Sequence, residues 1–530
     1  MRTWVAWHRR SLVVGAGLLM VSAAALLTGL SRYPAFADDE GTYVAQAWAV
    51  RTRWALAHYT YWYDHPPAGW LQLAFFTVVT RPVASLGGLT VNAVTEARLA
   101  MMVPALATVA LVYVLLRRIG TGRVASAVGT AAFALCPLTI SSLRQVYLDG
   151  LALPWIVAAF VLAATRSRRL WAFAGAGICA AVAVLSKETM AVALPALVVG
   201  VWQQSDRRTR AFCVSAFSAA FALVVLGYPL FALLKGELLP GSGHVSLFEA
   251  LKFQLMGRNS TGSAFDASSA SHRLVASWLA VDPWLLGAGA LAAPIALFAR
   301  RLRPPALALV SFIAVGVRPG YLPQPYVIAL LPFAAVSAAS VASWAWPGAV
   351  GWLDRVPGGW SRALLSAAVV VALAVPVSSV LREWSAGDRT ARSADVTSSE
   401  VAATTWVVHN IDHRARVLVD DTFFVDLGKA GFEPGLGVVW FYKMDFTTNL
   451  DPSVTRALPH GYRDFDYVVS TPVIRSALDQ NPGRLDEVRR ALQSSEVVAR
   501  FGQGDRLVEV RRIVGPGTGS GRLGPVAPNG

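Results

Sequence analysis

Apolar residues in this chain come in long unbroken blocks, and short basic clusters separate one block from the next. A block of about 18 or more apolar residues can cross the roughly 30 Å hydrocarbon core of a bilayer. The separating clusters are "RRIGTGR" from Arg117, "RSRR" from Arg166, "DRRTR" from Asp206, "ARRLR" from Ala299 and the broken stretch "WPGAVGWLDRVPGGWSR" from Trp346. Cytoplasmic loops of membrane proteins are enriched in Lys and Arg, so all five are assigned to that side. The basic start "MRTWVAWHRR" precedes an apolar run too long for the core of a signal peptide, and it reads as a retained first helix. One segment, "HPPAGWLQLAFFTVVTRPVASLGG" from His65, would invert every later cluster if it crossed; it is read as interfacial or re-entrant. Eleven spans result, near 11–30, 98–116, 124–143, 150–165, 170–186, 189–204, 211–233, 276–298, 305–317, 326–345 and 362–381.

This topology gathers separate polar stretches on the outer face. They are "ADDEGTY", "LRQVYLDG" around Arg144–Gly150, "SKET" from Ser186, "VRPGYLPQPY" from Val317, and a longer loop from Lys235 to about Ser271. Beyond about Ser385 the pattern changes to alternation. "ARVLVDD", "DFDYVVST", "EVVARF" and "DRLVEVRRIV" read as strands, while "TSSEVAATTWVVHNI" and "GRLDEVRRALQSSE" read as helices. The predicted domains are therefore a bundle over 1–384 with an outer loop at 31–97, an α/β domain over 385–514 outside the membrane, and a disordered tail over 515–530. That tail holds a GxGxxG at Gly519, Gly521 and Gly524, without the strand and helix that would make it a nucleotide site.

Composition agrees: 55% of the 530 residues are hydrophobic, only 15% are charged, and mean hydropathy is +0.49. The net charge of +15 is distributed as membrane topology requires, which argues against nucleic acid as a partner. Cys136, Cys179 and Cys213 all fall inside apolar runs and read as packing residues.

The candidate chemistry lies on the outer face. Asp38, Asp39 and Glu40 either cap a helix, since helix N-termini favour acids, or act as bases. Asp149 is a carboxylate beside an apolar span, with Arg144 on the same short loop as its structural partner. Lys187, next to Glu188, either snorkels to the interface or, with Arg144, Arg258, Arg318 and Tyr321, forms an anion site. Acids and cations at a lipid–water boundary suit sugar transfer from a lipid phosphate. A carboxylate takes the acceptor's hydroxyl proton, and positive charge stabilises the leaving phosphate. Direct displacement of this kind inverts the anomeric carbon.

The motifs "DDEGTY", "HPPAGW", "YLDG", "LSKET" and "RPGYLPQPYVIALLP" occur in that order over roughly residues 10–345. Together they resemble the polyprenyl-phosphate-dependent GT-C glycosyltransferases, the protein O-mannosyltransferase and aminoarabinose-transferase-like group (glycosyltransferase family 39-like). The resemblance implies a mostly α, polytopic bundle of about eleven transmembrane helices with an extracytoplasmic α/β domain. It implies Asp39 as catalytic base and Asp149 as second carboxylate, with Glu40 completing the acidic pair and the extra acid Asp38 competing for the base's role. By the same resemblance, Lys187, Arg318 and Tyr321 hold the lipid phosphate and His65 lies near the acceptor or donor head. Some relatives hold a divalent metal near the acids and others work without one; Glu40, His65 and Asp149 are the candidate ligands here.

The expected donor is a polyprenyl-phosphate-linked sugar, mannose by default. The acceptor is a protein, glycolipid or polysaccharide, and the expected location is the plasma membrane with the active site outside. A transporter or flippase of lipid-linked sugars is the alternative, and an assembly protein carried by the outer domain ranks third. Within that domain, Asp420 and Asp421 read as a strand-end turn, with acceptor binding as the other role. The "NST" at Asn259 carries no weight.

Overall fold

The computed structural model describes residues 2–89, 91–165, 170–354, 359–444, 451–481 and 483–514. The Arg166 cluster, the residues 355–358 of the last break, and the tail with its glycine motif lie outside the described residues. The described chain is mostly helical, with one small sheet, and divides into two compact units.

The first unit, Met1–Pro34, Tyr61–Leu89 and Thr95–Ala394, is all helical. Among the described residues three helices are long and apolar enough to cross a membrane: Ala93–Ile119, Arg210–Leu234 and Gln324–Pro347. Two broken pairs qualify together, and Ser11–Leu27, Leu148–Ala163, Leu170–Ser186 and Arg303–Val317 are shorter apolar helices. Along Arg210–Leu234 the side chains of Leu223, Leu226, Leu230 and Leu234 are exposed, a face suited to hydrocarbon rather than water. Where helices meet, small residues line the contact. Ala172, Ala176, Ala180 and Ala183 recur every three or four positions and are buried in Leu170–Ser186, which packs on Leu148–Ala163 and Arg210–Val225.

Two expected spans are not continuous. The 124–143 span is broken into Arg123–Leu135 and Pro137–Arg144, which meet at 56°. Cys136 is extended there because Pro137 disfavours the helical conformation in the residue before it. The 276–298 span turns by 106° at Asp282–Pro283, where Asp282 accepts from the backbone N–H of Trp284 (3.0 Å) and Leu285 (3.3 Å). The breaks are tied to each other. Cys136 Sγ donates to Asp282 Oδ2 (2.8 Å), and Trp384 Nε1 donates to Asp282 Oδ1 (3.0 Å). The segment after His65 forms the helix Ala68–Leu86.

Arg144 organises this unit. It is 1% exposed, and all five of its N–H groups meet backbone carbonyls. Nε donates to Leu26 (3.0 Å), Nη2 to Ala25 (2.7 Å) and Thr28, and Nη1 to Ala391 (3.0 Å) and Tyr33 (3.4 Å). Ala25 and Leu26 lie in the last turn of Arg2–Leu27, and Ala391 in the last turn of Gly359–Ser393. The last four carbonyls of a helix lack intrahelical partners, and that end attracts cations. Gly29 makes the approach feasible: its φ is +80°, and a Cβ there would stand 2.5 Å from the Ala391 carbonyl.

The second unit comprises Ala35–Thr60, Thr90–Val94 and Asp395–Gly530. Its strands are β1 (Val417–Val419), β2 (Val438–Trp440), β3 (Tyr467–Ser470), β4 (Ser495–Phe501) and β5 (Val508–Ile513). Their order is β2-β1-β3-β5-β4, with β1 parallel to β2 and β3, and β5 antiparallel to β3 and β4. Its apolar core includes Leu418, Val439, Phe441, Val468, Ile474 and Val488. The turn expected at Asp420–Asp421 is instead a helix start: Asp420 caps Asp421–Ala430, accepting from Thr422 N (3.1 Å).

Replacing Arg144 by Lys leaves three donors in place of five and no planar fork. Loss of two or more buried hydrogen bonds should cost roughly 2–5 kcal/mol. Thermal unfolding in detergent checks this; an Arg144→Lys protein that melts with the wild type would refute the role.

Candidate active site

In the first unit the site is built where helices end. Helix Leu170–Ser186 stops at Lys187, whose extended backbone (φ −153°, ψ 117°) turns the chain into the short 3-10 helix Glu188–Ala193. Lys187 Nζ lies 3.2 Å from His65 Nε2, and His65 Nδ1 lies 3.0 Å from Glu188 Oε1. An ammonium can only donate, so Nε2 accepts and the ring proton sits on Nδ1, pointing at the carboxylate. Burial pushes the Glu188 carboxyl up, but His65 and Lys187 outweigh burial and hold it well below the ordinary carboxylate range. Asp149 stands in the first turn of Leu148–Ala163, with Lys187, Glu188 and His65 as the charges acting on it. Its Oδ1 accepts from Thr189 (3.3 Å), while Oδ2 is buried without a hydrogen-bond partner among the described residues.

The shell around this cluster is aromatic. Tyr61 Oη donates to the His65 carbonyl (2.8 Å) and meets Tyr228 Oη at 2.7 Å. Tyr326 donates to the Phe312 carbonyl (3.0 Å) and feels both Arg318 and Asp149. Arg318 is exposed, with one long bond to the Pro319 carbonyl (3.4 Å). Tyr321 serves as a ring platform: the Arg258 guanidinium lies 4.5 Å from its centroid.

In the second unit, the helix Asp38–Arg53 opens on three acids that have different surroundings. Glu40 is buried and accepts from the backbone N–H of Ala37 (3.1 Å), an N-terminal cap. Asp38 is half-buried and accepts from Trp440 Nε1 (3.2 Å). Burial, then Asp421, Asp420 and Asp39, push its carboxyl well above the ordinary range, against the Trp440 hydrogen bond. Asp39 is exposed and accepts no hydrogen bond among the described residues. The capping reading of this motif thus applies to Glu40, and Asp39 is the member left exposed.

His65, Asp149 and Lys187 come together within the first unit, and Asp38, Asp39 and Glu40 at one helix start in the second. Arg144 is removed from the anion site and from partnership with Asp149, since carbonyls take its whole guanidinium. Among the described residues no three His, Cys, Asp or Glu side chains gather as a metal site; Glu40 belongs to the second unit, His65 and Asp149 to the first. Sequence reasoning missed Glu188 as the partner of His65, Thr189, Tyr61, and the Asp421 contacts described below. Only Glu188 carried a signal, as the neighbour of Lys187.

Residues 64–230 match a family model described as dolichyl-phosphate-mannose-protein mannosyltransferase. The fold is similar to that of ArnT from Cupriavidus metallidurans in the apo state (15% identity, TM-score 0.57, 96% of this chain and 98% of that one). It is similar to the same protein bound to undecaprenyl phosphate (15%, 0.55, 96% and 98%). It also resembles the Archaeoglobus fulgidus oligosaccharyltransferase in its apo form (11%, 0.52, 90% and 72%). No curated protein sequence matches this chain. The family match covers 64–230 only, and the three solved structures share the fold of this chain.

The raised Asp38 carboxyl sets a pH dependence of stability. A folded-state carboxyl that stays protonated above about pH 3.9, where the unfolded one ionises, makes stability fall as pH rises until the folded value is passed. An Asn at this position does not titrate. Asp38→Asn should therefore melt alongside the wild type near pH 4 and progressively above it toward pH 8. A melting-temperature gap that is constant over this range would refute the assignment.

Proposed function

We propose that this chain is a polytopic membrane glycosyltransferase of the GT-C type that moves one sugar, mannose in the first instance, from a polyprenyl-phosphate donor to an acceptor hydroxyl at the outer surface of the plasma membrane, with inversion. The observation that carries the reading is Asp39: an exposed carboxyl without a hydrogen-bond partner among the described residues, beside half-buried Asp38, whose carboxyl is pushed well above the ordinary range. A general base must be accessible, and of the three acids Asp39 is the exposed one. It takes the acceptor's hydroxyl proton as that oxygen bonds to C1 of the sugar. The bond from C1 to the phosphate oxygen breaks, its electron pair leaving with the polyprenyl phosphate.

The departing phosphate gains charge, so cations lower the barrier more than an acid does. Lys187 and Arg318 are assigned this role. His65 holds the Lys187 ammonium, and Glu188 fixes the tautomer that lets it do so. Asp149, with one oxygen unpartnered, is the second carboxylate and balances Lys187. Under this reading the C-terminal α/β unit is extracytoplasmic and contributes to acceptor handling. The acceptor class stays open to protein, glycolipid or polysaccharide.

Purified protein in vesicles, given radiolabelled polyprenyl-phosphate-mannose and an envelope acceptor fraction, should transfer label to product. Asp39→Asn should lose about 100-fold or more in rate. The anomeric configuration of the product should be opposite to the donor's. Retention of configuration, or an Asp39→Asn enzyme of wild-type rate, would overturn the mechanism. Label crossing the bilayer without transfer would replace transfer with lipid flipping.

A further inference from the structure

The acidic helix Asp38–Arg53 is seated on the helix Asp421–Ala430 by contacts that converge on one carboxylate. Asp421 Oδ2 accepts from Thr42 Oγ1 (2.9 Å) and pairs with His58 Nε2 (3.1 Å). Both His58 and Asp421 are buried. The carboxylate fixes a proton of His58 on Nε2, while Nδ1 has no partner among the described residues; Asp421 Oδ1 is likewise buried and unpartnered among them. Phe424, one turn along the same helix, holds the His58 ring edge-on at 4.7 Å. Gly41 closes the contact from the other side. A Cβ there would stand 2.3 Å from the Asp421 and Thr422 backbone, so no larger residue permits this approach.

These groups belong to the fold of the C-terminal sheet, yet Thr42 is two to four residues from the acids of the first loop. Thr42 Oγ1 also reaches back to the Asp38 carbonyl at 3.4 Å, and β2 ends at Trp440, which donates to the Asp38 side chain. Asp38 is thus bound to the sheet through its own side chain and, by way of Thr42, through its backbone. Asp39, the next residue, is left with its carboxylate outward.

We propose that Asp421, with His58 and Thr42, is a positioning residue for sugar transfer: it clamps the first turn of the Asp38–Arg53 helix so that Asp39 is presented as the base in one orientation. The inference rests on the reading of Asp39 as that base. A clamp of this kind acts on the chemical step and leaves donor binding alone, because neither Asp421 nor Thr42 is assigned to the phosphate. A base displaced by an ångström loses rate far out of proportion to the displacement.

The test is a double-mutant cycle in the reconstituted transfer assay, with polyprenyl-phosphate-mannose as donor and rates normalised to folded protein. Asp421→Asn and Thr42→Val should each lower kcat about tenfold with the donor KM within about twofold of wild type. The double variant should be no slower than the slower single one, since both break the same clamp. A purely structural role would lower the melting temperature and the folded fraction without changing kcat per folded molecule. If Asp421→Asn does not fold, Thr42→Val, which leaves the Asp421–His58 pair in place, carries the test alone. Wild-type kcat in both variants, with Asp39→Asn inactive, overturns the clamp and leaves the base assignment standing. An active Asp39→Asn overturns the base assignment and the clamp with it.

Discussion

A single guanidinium governs how the bundle closes on itself. The carbonyls at the end of Arg2–Leu27 and of Gly359–Ser393 have no helical partners, and in a membrane protein there is little water to supply them. Arg144 supplies donors to both ends at once and brings the first and last long helices of the unit to one point. Five carbonyl dipoles compensate the buried charge, so no carboxylate is needed. The same arrangement leaves Asp149 to its other neighbours.

The breaks in the bundle follow from the same scarcity of partners. A proline frees a carbonyl one turn earlier and leaves its own nitrogen without a proton. At Pro137 and Pro283 the chain ends one helix and starts another, and Asp282 accepts the N–H groups that the new start exposes. Cys136 and Trp384 then occupy the rest of that carboxylate. An acid buried among apolar helices is tolerable because four donors surround it.

These facts explain what could be read in advance. Long apolar blocks and alternating strands such as Val508–Ile513 are local signals, and both were legible. So was the acid motif, because three successive acids are rare beside an apolar run. Strand β2 has only three residues and no alternation to detect. The Asp421 helix was read as a turn because paired acids after a strand suit either, and the deciding contact with Thr42 spans 379 residues. Arg144 was misread for a related reason. Its partners are backbone carbonyls over a hundred residues away, and a carbonyl has no letter in the sequence, whereas Asp149 does.

The acids of the second unit pose one more physical problem, and its solution bears on catalysis. Two helix N-termini, at Asp38 and at Asp421, meet first turn to first turn. Each carries about half a positive charge, so their approach is unfavourable unless negative charge lies with them. Asp38, Asp39, Glu40, Asp420 and Asp421 supply it, but five full charges would overcompensate. The excess is felt at Asp38, whose carboxyl burial and the neighbouring acids push well above the ordinary range. Glu40 and Asp421 keep donors of their own from Ala37, Thr42 and His58. Asp39 faces outward and accepts no hydrogen bond among the described residues. A carboxylate saturated with hydrogen bonds is a poor base, because every bond stabilises the charged form it must give up. The packing that lets the two helices touch thus leaves one acid exposed and without a hydrogen-bond donor among the described residues, the surroundings on which the proposed proton abstraction relies.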